Sequence, residues 1–137
     1  MKKSTKAFTA LMILIGGLLM VFSLNNPDIN HKSEEELRNY EYEVSLVKAL
    51  KNSYKGIEEI TITNPHYTIP PGNWSCDLEL IFNDTSKISY RIGHNVDDDS
   101  NYNGALTYRQ SDFLKRKRGT TDIFVKVTFS DGTERSV

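Results

Sequence analysis

The most specific set of chemistry-bearing residues is Asp99-x-Asn101-x-Asn103-Gly104. It matches the first six positions of a calcium loop, where alternate residues supply oxygen ligands and a glycine makes the sharp turn. Leu106 occupies the apolar eighth position, and Asp97 and Asp98 add charge upstream. The twelfth position holds Gln110 where a bidentate Glu belongs, so a calcium site over Asp97, Asp99, Asn101 and Asn103 is expected to be weak. Asn103-Gly104 equally suits a tight hairpin turn. No other cofactor is expected.

A second cluster, Lys115, Arg116, Lys117 and Arg118, concentrates positive charge that would suit an anionic ligand such as lipid headgroups or wall polymer. A solvated helix end favoured by the macrodipole accounts for it equally well. Cys76 with His66 or His94 has the residue types of a nucleophile and its base. Cys76 shares its strand face with Trp74 and Leu78, which predicts a small buried hydrophobe and no enzyme. The three histidines lack the spacing of paired zinc ligands. Tyr67, Pro71 and Trp74 flank or form a stiff proline bend, and rigid aromatics suit protein recognition because they lose little entropy on binding.

The elements that must position these residues begin with a capping box, Ser33 and Glu36, opening a helix in which Leu37, Tyr40, Val44, Val47, Leu50 and Tyr54 share one face. Gly56 is its left-handed stop. The period then becomes two. Ile57, Ile60 and Ile62 make a short strand that Asn64-Pro65 ends. Trp74, Cys76, Leu78, Leu80 and Phe82 make the next, with a turn at Asn83-Asp84-Thr85-Ser86 and a return strand through Ile88, Tyr90 and Ile92. A strand is expected over 105–109, a short helix capped by Ser111, and a last strand on which Ile123, Val125, Val127 and Phe129 face the core, ending in a hairpin turn at Gly132. This order predicts an α+β fold. One long helix packs on a curved antiparallel sheet of four to six strands, cystatin-like or NTF2-like in shape.

Residues 7–24 are uncharged and follow three lysines. As a helix the run would be about 27 Å long, enough to cross a hydrocarbon core of about 30 Å. It reads as a signal anchor with its N-terminus in the cytoplasm, or as a signal peptide whose cleavage secretes the rest. Phe22 and Leu24 stand where a cleavage site wants small residues, which favours retention. A polar spacer, 25–32, then leads to an extracytoplasmic domain, 33–137. Beyond residue 24 lie all eighteen acidic and fourteen of the seventeen basic residues, a formal net charge of −4. That balance argues against a nucleic-acid partner. The single cysteine excludes an internal disulfide and suggests a Gram-positive source for an exported chain.

The layout resembles the small membrane-anchored proteins of Gram-positive bacteria grouped as domain-of-unknown-function family thirteen-ten. The shared features are the Lys2-Lys3 anchor, Ile60-x-Ile62, the bend near Pro71-Gly72, the strand ending at Asn83-Asp84, Ser89-Tyr90, and Asn103-Gly104 before Phe113-Leu114. The resemblance implies an anchored domain and no established activity. The expected function is a non-enzymatic, membrane-tethered binding protein that engages another protein outside the cytoplasm, such as an immunity protein neutralising an exported toxin. The alternative is an envelope module that binds wall polymer, anionic lipid or calcium.

Overall fold

A computed structural model describes residues 33–68 and 73–137. The chain forms two compact units, Met1–Leu37 and Arg38–Val137, and the buried core described below lies in the second. Helix α1, Glu34–Ser53, starts at the expected capping box, with Ser33 N–H donating to Glu36 Oε1 at 2.9 Å and Glu36 N–H to Ser33 Oγ at 3.1 Å. It stops before Gly56, whose φ of +75° is open to glycine without strain. Five strands follow: β1, Ile57–Tyr67; β2, Trp74–Phe82; β3, Lys87–His94; β4, Lys126–Thr128; and β5, Glu134–Ser136. A second helix, α2, Tyr108–Arg116, lies between β3 and β4.

The sheet runs β3-β2-β1-β4-β5. It is open and mixed, which corrects the expected all-antiparallel meander: β4 pairs with β1 in parallel, Glu59 opposite Lys126 and Thr61 opposite Thr128. A strand entering on the far side of β1 in the same direction needs a long crossover, and the segment carrying α2 supplies it. β1 also continues through Asn64-Pro65. The register shifts by one residue between Thr63 and His66, so the two residues form a bulge, with Asn64 at φ +51°. Proline, which cannot donate to the ladder, is tolerated at such a point.

Strict alternation along β2 places Trp74, Cys76, Leu78, Leu80 and Phe82 against the helix side and Ser75, Asp77, Glu79 and Ile81 towards solvent. The core closes on Leu46, Val47 and Leu50 of α1, together with Ile57, Ile60, Ile62 and Val127 of the sheet. The buried stripe of α1 is therefore rotated from the expected one. It takes in Glu43 and Ser53, and Leu37 is 47 % exposed.

α2 begins one turn earlier than expected. Thr107, not Ser111, is its N-cap, in a capping box with Gln110. Around 105 there is only an isolated bridge between Arg91 and Ala105 in place of the expected strand. β4 starts at Lys126, so Ile123 lies outside the ladder and outside the core.

The membrane segment expected at 7–24, and the spacer, lie outside the described residues. Among the described residues no helix is long and apolar enough to cross a membrane. α1 has the length, at twenty residues, but it opens on Glu34, Glu35 and Glu36 and carries charge on its outer face. The single-pass topology, the secreted alternative and attachment to a membrane through 7–24 are corrected accordingly, since no described element supports them.

Candidate functional site

The polar constellation with the composition of a catalytic triad is one that sequence reasoning missed. Ser45 of α1 lies 2.9 Å from His94 Nε2, at the end of β3, and His94 Nδ1 lies 2.9 Å from Asn101 Nδ2. Spacings of 49 and 7 residues leave no local motif to read. The hydrogen-bond direction decides what the trio can do. Ser45 Oγ donates to the Val96 carbonyl at 2.8 Å, so its lone proton is spent and it accepts from His94 Nε2–H. Asn101 Nδ2 donates to the Gly93 carbonyl at 2.9 Å, while its Oδ1 accepts from Asn103 N–H at 2.9 Å, which fixes the amide's orientation. Hence His94 Nδ1 accepts from Asn101. This polarity is the reverse of a nucleophile with its base, where Nε2 must be free to take the hydroxyl proton. Burial pushes the His94 pKa down, against a smaller opposite pull from the Asp98 carboxylate.

What the trio does is close an edge. Three carbonyls along β3 are taken by donors from the segment that follows: Gly93 by Asn101 Nδ2, Arg91 by Ala105 N–H at 2.8 Å, and Ser89 by Gln110 Nε2 at 2.8 Å. Asn101 N–H also donates to Ser53 Oγ of α1 at 2.8 Å. An edge strand that would otherwise invite pairing is strapped.

That strap is the expected calcium loop. Asp97 and Asp99 are exposed on it, Asn103 is exposed near its end, and Asn101 is 2 % exposed with its carboxamide turned inward. Among the described residues no group of three or more His, Cys, Asp or Glu could hold a metal ion. Cys76 is fully buried and its thiol is pushed up to about 12, chiefly by desolvation. Both His94 nitrogens are engaged and His66 is exposed, so neither of these histidines serves the buried Cys76 as a base.

The basic residues diverge. Lys117 Nζ meets Asp84 Oδ2 at 2.7 Å and lies over the Phe82 and Phe113 rings, and this ammonium holds the Asp84 carboxyl below its usual range. Arg118 lies over the Tyr102 ring at 4.4 Å, leaving Lys115 and Arg116 to solvent. Of the three residues at the proline bend, Pro71 lies outside the described residues. Tyr67 and Trp74 are register partners, but Trp74 is 1 % exposed, stacked on Tyr42 and bonded through Nε1 to Asn39 Oδ1 at 3.0 Å. Tyr67 itself packs against the Tyr42 ring, with centroids 6.2 Å apart, and lies under the Arg38 guanidinium at 4.2 Å.

The apolar residues that do reach solvent together are Ile123 and Phe124, 63 % and 80 % exposed. Both flanks are fixed. Thr121 Oγ1 donates to the Tyr54 carbonyl at 2.7 Å and accepts from Ile57 N–H at 3.2 Å, while Thr121 N–H donates to the Lys51 carbonyl at 2.7 Å. On the other side Val125 and Val137 exchange two backbone bonds, at 2.8 and 2.9 Å. Alternation over 123–129 assigns Ile123 to the core, so only the actual start of β4 reveals the exposed pair.

No known protein family, curated protein or solved structure matches the chain. The resemblance to family thirteen-ten is corrected by that result, and nothing carries over from it. The membrane-tethered binding function, as immunity protein or envelope module with an extracytoplasmic partner, is corrected to one without support, because among the described residues no helix is long and apolar enough to cross a membrane.

Proposed function

We propose that the domain is a non-catalytic protein-recognition module whose anchor is the Ile123–Phe124 pair. The observation that carries this reading is the coincidence of high exposure with a fixed backbone on both sides of the pair. Single exposed apolar residues are ordinary on any surface. Two in succession, held by Thr121 and by the Val125–Val137 pair, form a knob that loses little conformational entropy when a partner covers it. Fully burying a side chain such as Phe or Ile returns about 1.5–3 kcal/mol, which is the scale of an interface hot spot. The partner that suits it is a folded protein with an apolar pocket. The non-catalytic half of the reading rests on the reversed polarity of Ser45–His94–Asn101.

The test is a quantitative pull-down with the tagged full chain, comparing wild type with Ile123→Ser/Phe124→Ser and with Tyr108→Ser, whose side chain is 93 % exposed elsewhere on the chain. We expect a stoichiometric protein that the double variant loses and Tyr108→Ser retains. Equal recovery with all three chains would overturn the proposal.

A further inference from the structure

We propose that Asn103-Gly104 is a site of spontaneous covalent modification, at which the asparagine cyclises onto the glycine nitrogen and opens to isoaspartate and aspartate. In this step the Gly104 backbone nitrogen attacks the Asn103 side-chain carbonyl carbon and forms a C–N bond. The bond to Nδ2 breaks, and ammonia leaves with the proton shed by the Gly104 N–H. Water then adds to either carbonyl of the resulting succinimide, giving a normal or a lengthened backbone.

Three features favour the step here. Asn103 and Gly104 are both exposed, so water reaches the ring that forms. Glycine has no Cβ to screen its nitrogen. Neither the Gly104 N–H nor the Asn103 carboxamide has a hydrogen-bond partner among the described residues, so neither reacting group must first be released. Asparagine is among the thermolabile residue types to begin with.

Asp131-Gly132 offers an internal contrast, because an aspartate can close the same ring. There the Gly132 N–H donates to the Phe129 carbonyl at 2.9 Å, and Asp131 Oδ1 accepts from Thr133 N–H at 3.0 Å and Thr133 Oγ1 at 2.6 Å. Nucleophile and electrophile are both held, and the folded chain protects that site.

The consequence of the change follows from what brackets it. Asn101 is fixed to Ser53 and Gly93, and Ala105 N–H to the Arg91 carbonyl. Gly104 is pressed so closely on the Tyr90 ring that a Cβ there would stand 2.6 Å from it. An isoaspartate inserts a methylene into the backbone between those anchors and loosens the strap over β3.

The test uses the full chain, folded, held in mildly alkaline buffer and mapped by electron-transfer fragmentation, which separates isoaspartate from aspartate. We expect conversion at Asn103 to exceed that at every other asparagine, no isoaspartate at Asp131, and faster amide exchange at Ala105 in the converted fraction. Asn103→Gln should abolish the product. Conversion of Asn103 in urea but not in the folded chain would overturn the proposal, since the fold would then be protecting the site.

Discussion

At the scale of single residues, two buried titratable side chains give the domain opposing pH dependences. His94 is held neutral by burial and by its acceptor role towards Asn101, with a folded pKa below the ordinary 6.5. The unfolded chain therefore binds its proton first. Stability is full above that ordinary value and falls as pH drops through the folded one. Glu43 works the other way. It is 2 % exposed, and desolvation raises its pKa above 4.5 despite hydrogen bonds from Ser130 N–H at 2.9 Å and Ser130 Oγ at 2.6 Å. Its contribution is present below 4.5 and lost as pH rises through the folded value. Urea midpoints measured across pH should show His94→Gln flattening the loss on acidification and Glu43→Gln flattening the loss on the rising side. Unchanged slopes in both variants would refute these assignments. Asn101→Ala keeps the backbone bond to Ser53 but strands the Gly93 carbonyl and His94 Nδ1, and we expect it to cost about 1–3 kcal/mol in the same measurement, against a few tenths for exposed Asn103→Ala.

At the scale of elements, Thr121 ties three segments together with one hydroxyl. It accepts from the start of β1, donates to the carbonyl after α1, and sits four residues before the Val125–Val137 pair. Thr121→Val keeps the shape and leaves the Ile57 N–H and the Tyr54 carbonyl unsatisfied, so we expect a loss of about 1–3 kcal/mol by chemical denaturation, with Thr121→Ser restoring most of it. Leu50→Ala, in the seam between α1 and the sheet, should cost about 2–5 kcal/mol. The amphipathic helix, its cap and the alternating β2 were legible because local spacing alone dictates them. Glu43 was not, because its burial depends on Ser130, 87 residues away. The parallel β1–β4 pair was equally hidden. A strand of three residues, Lys126–Thr128, carries the same period whichever way its neighbour runs.

At the scale of the whole molecule, the sheet has two edges and manages them differently. β3 is strapped by Asn101, Ala105 and Gln110. β5 is three exposed residues, Glu134–Ser136, and protects itself by shortness and charge. Between the core and these edges, the exposed Ile123–Phe124 knob breaks the rule that large apolar side chains go inside. The candidate sites legible in sequence, such as Cys76, the acidic loop and the basic run, were singled out by residue type. The fold spends Cys76, Asn101 and Lys117 on packing or internal hydrogen bonds. What marks the knob is the absence of burial, which only tertiary structure can show.

The most direct measurement is photocrosslinking in the native cell with benzoylphenylalanine in place of Phe124, using the same substitution at Tyr108 as reference. A single protein adduct from position 124, absent from position 108 and lost when Ile123 is changed to Ser, is the expected result. No adduct at 124, or the same spread of adducts from both positions, would contradict a recognition anchor at Ile123–Phe124.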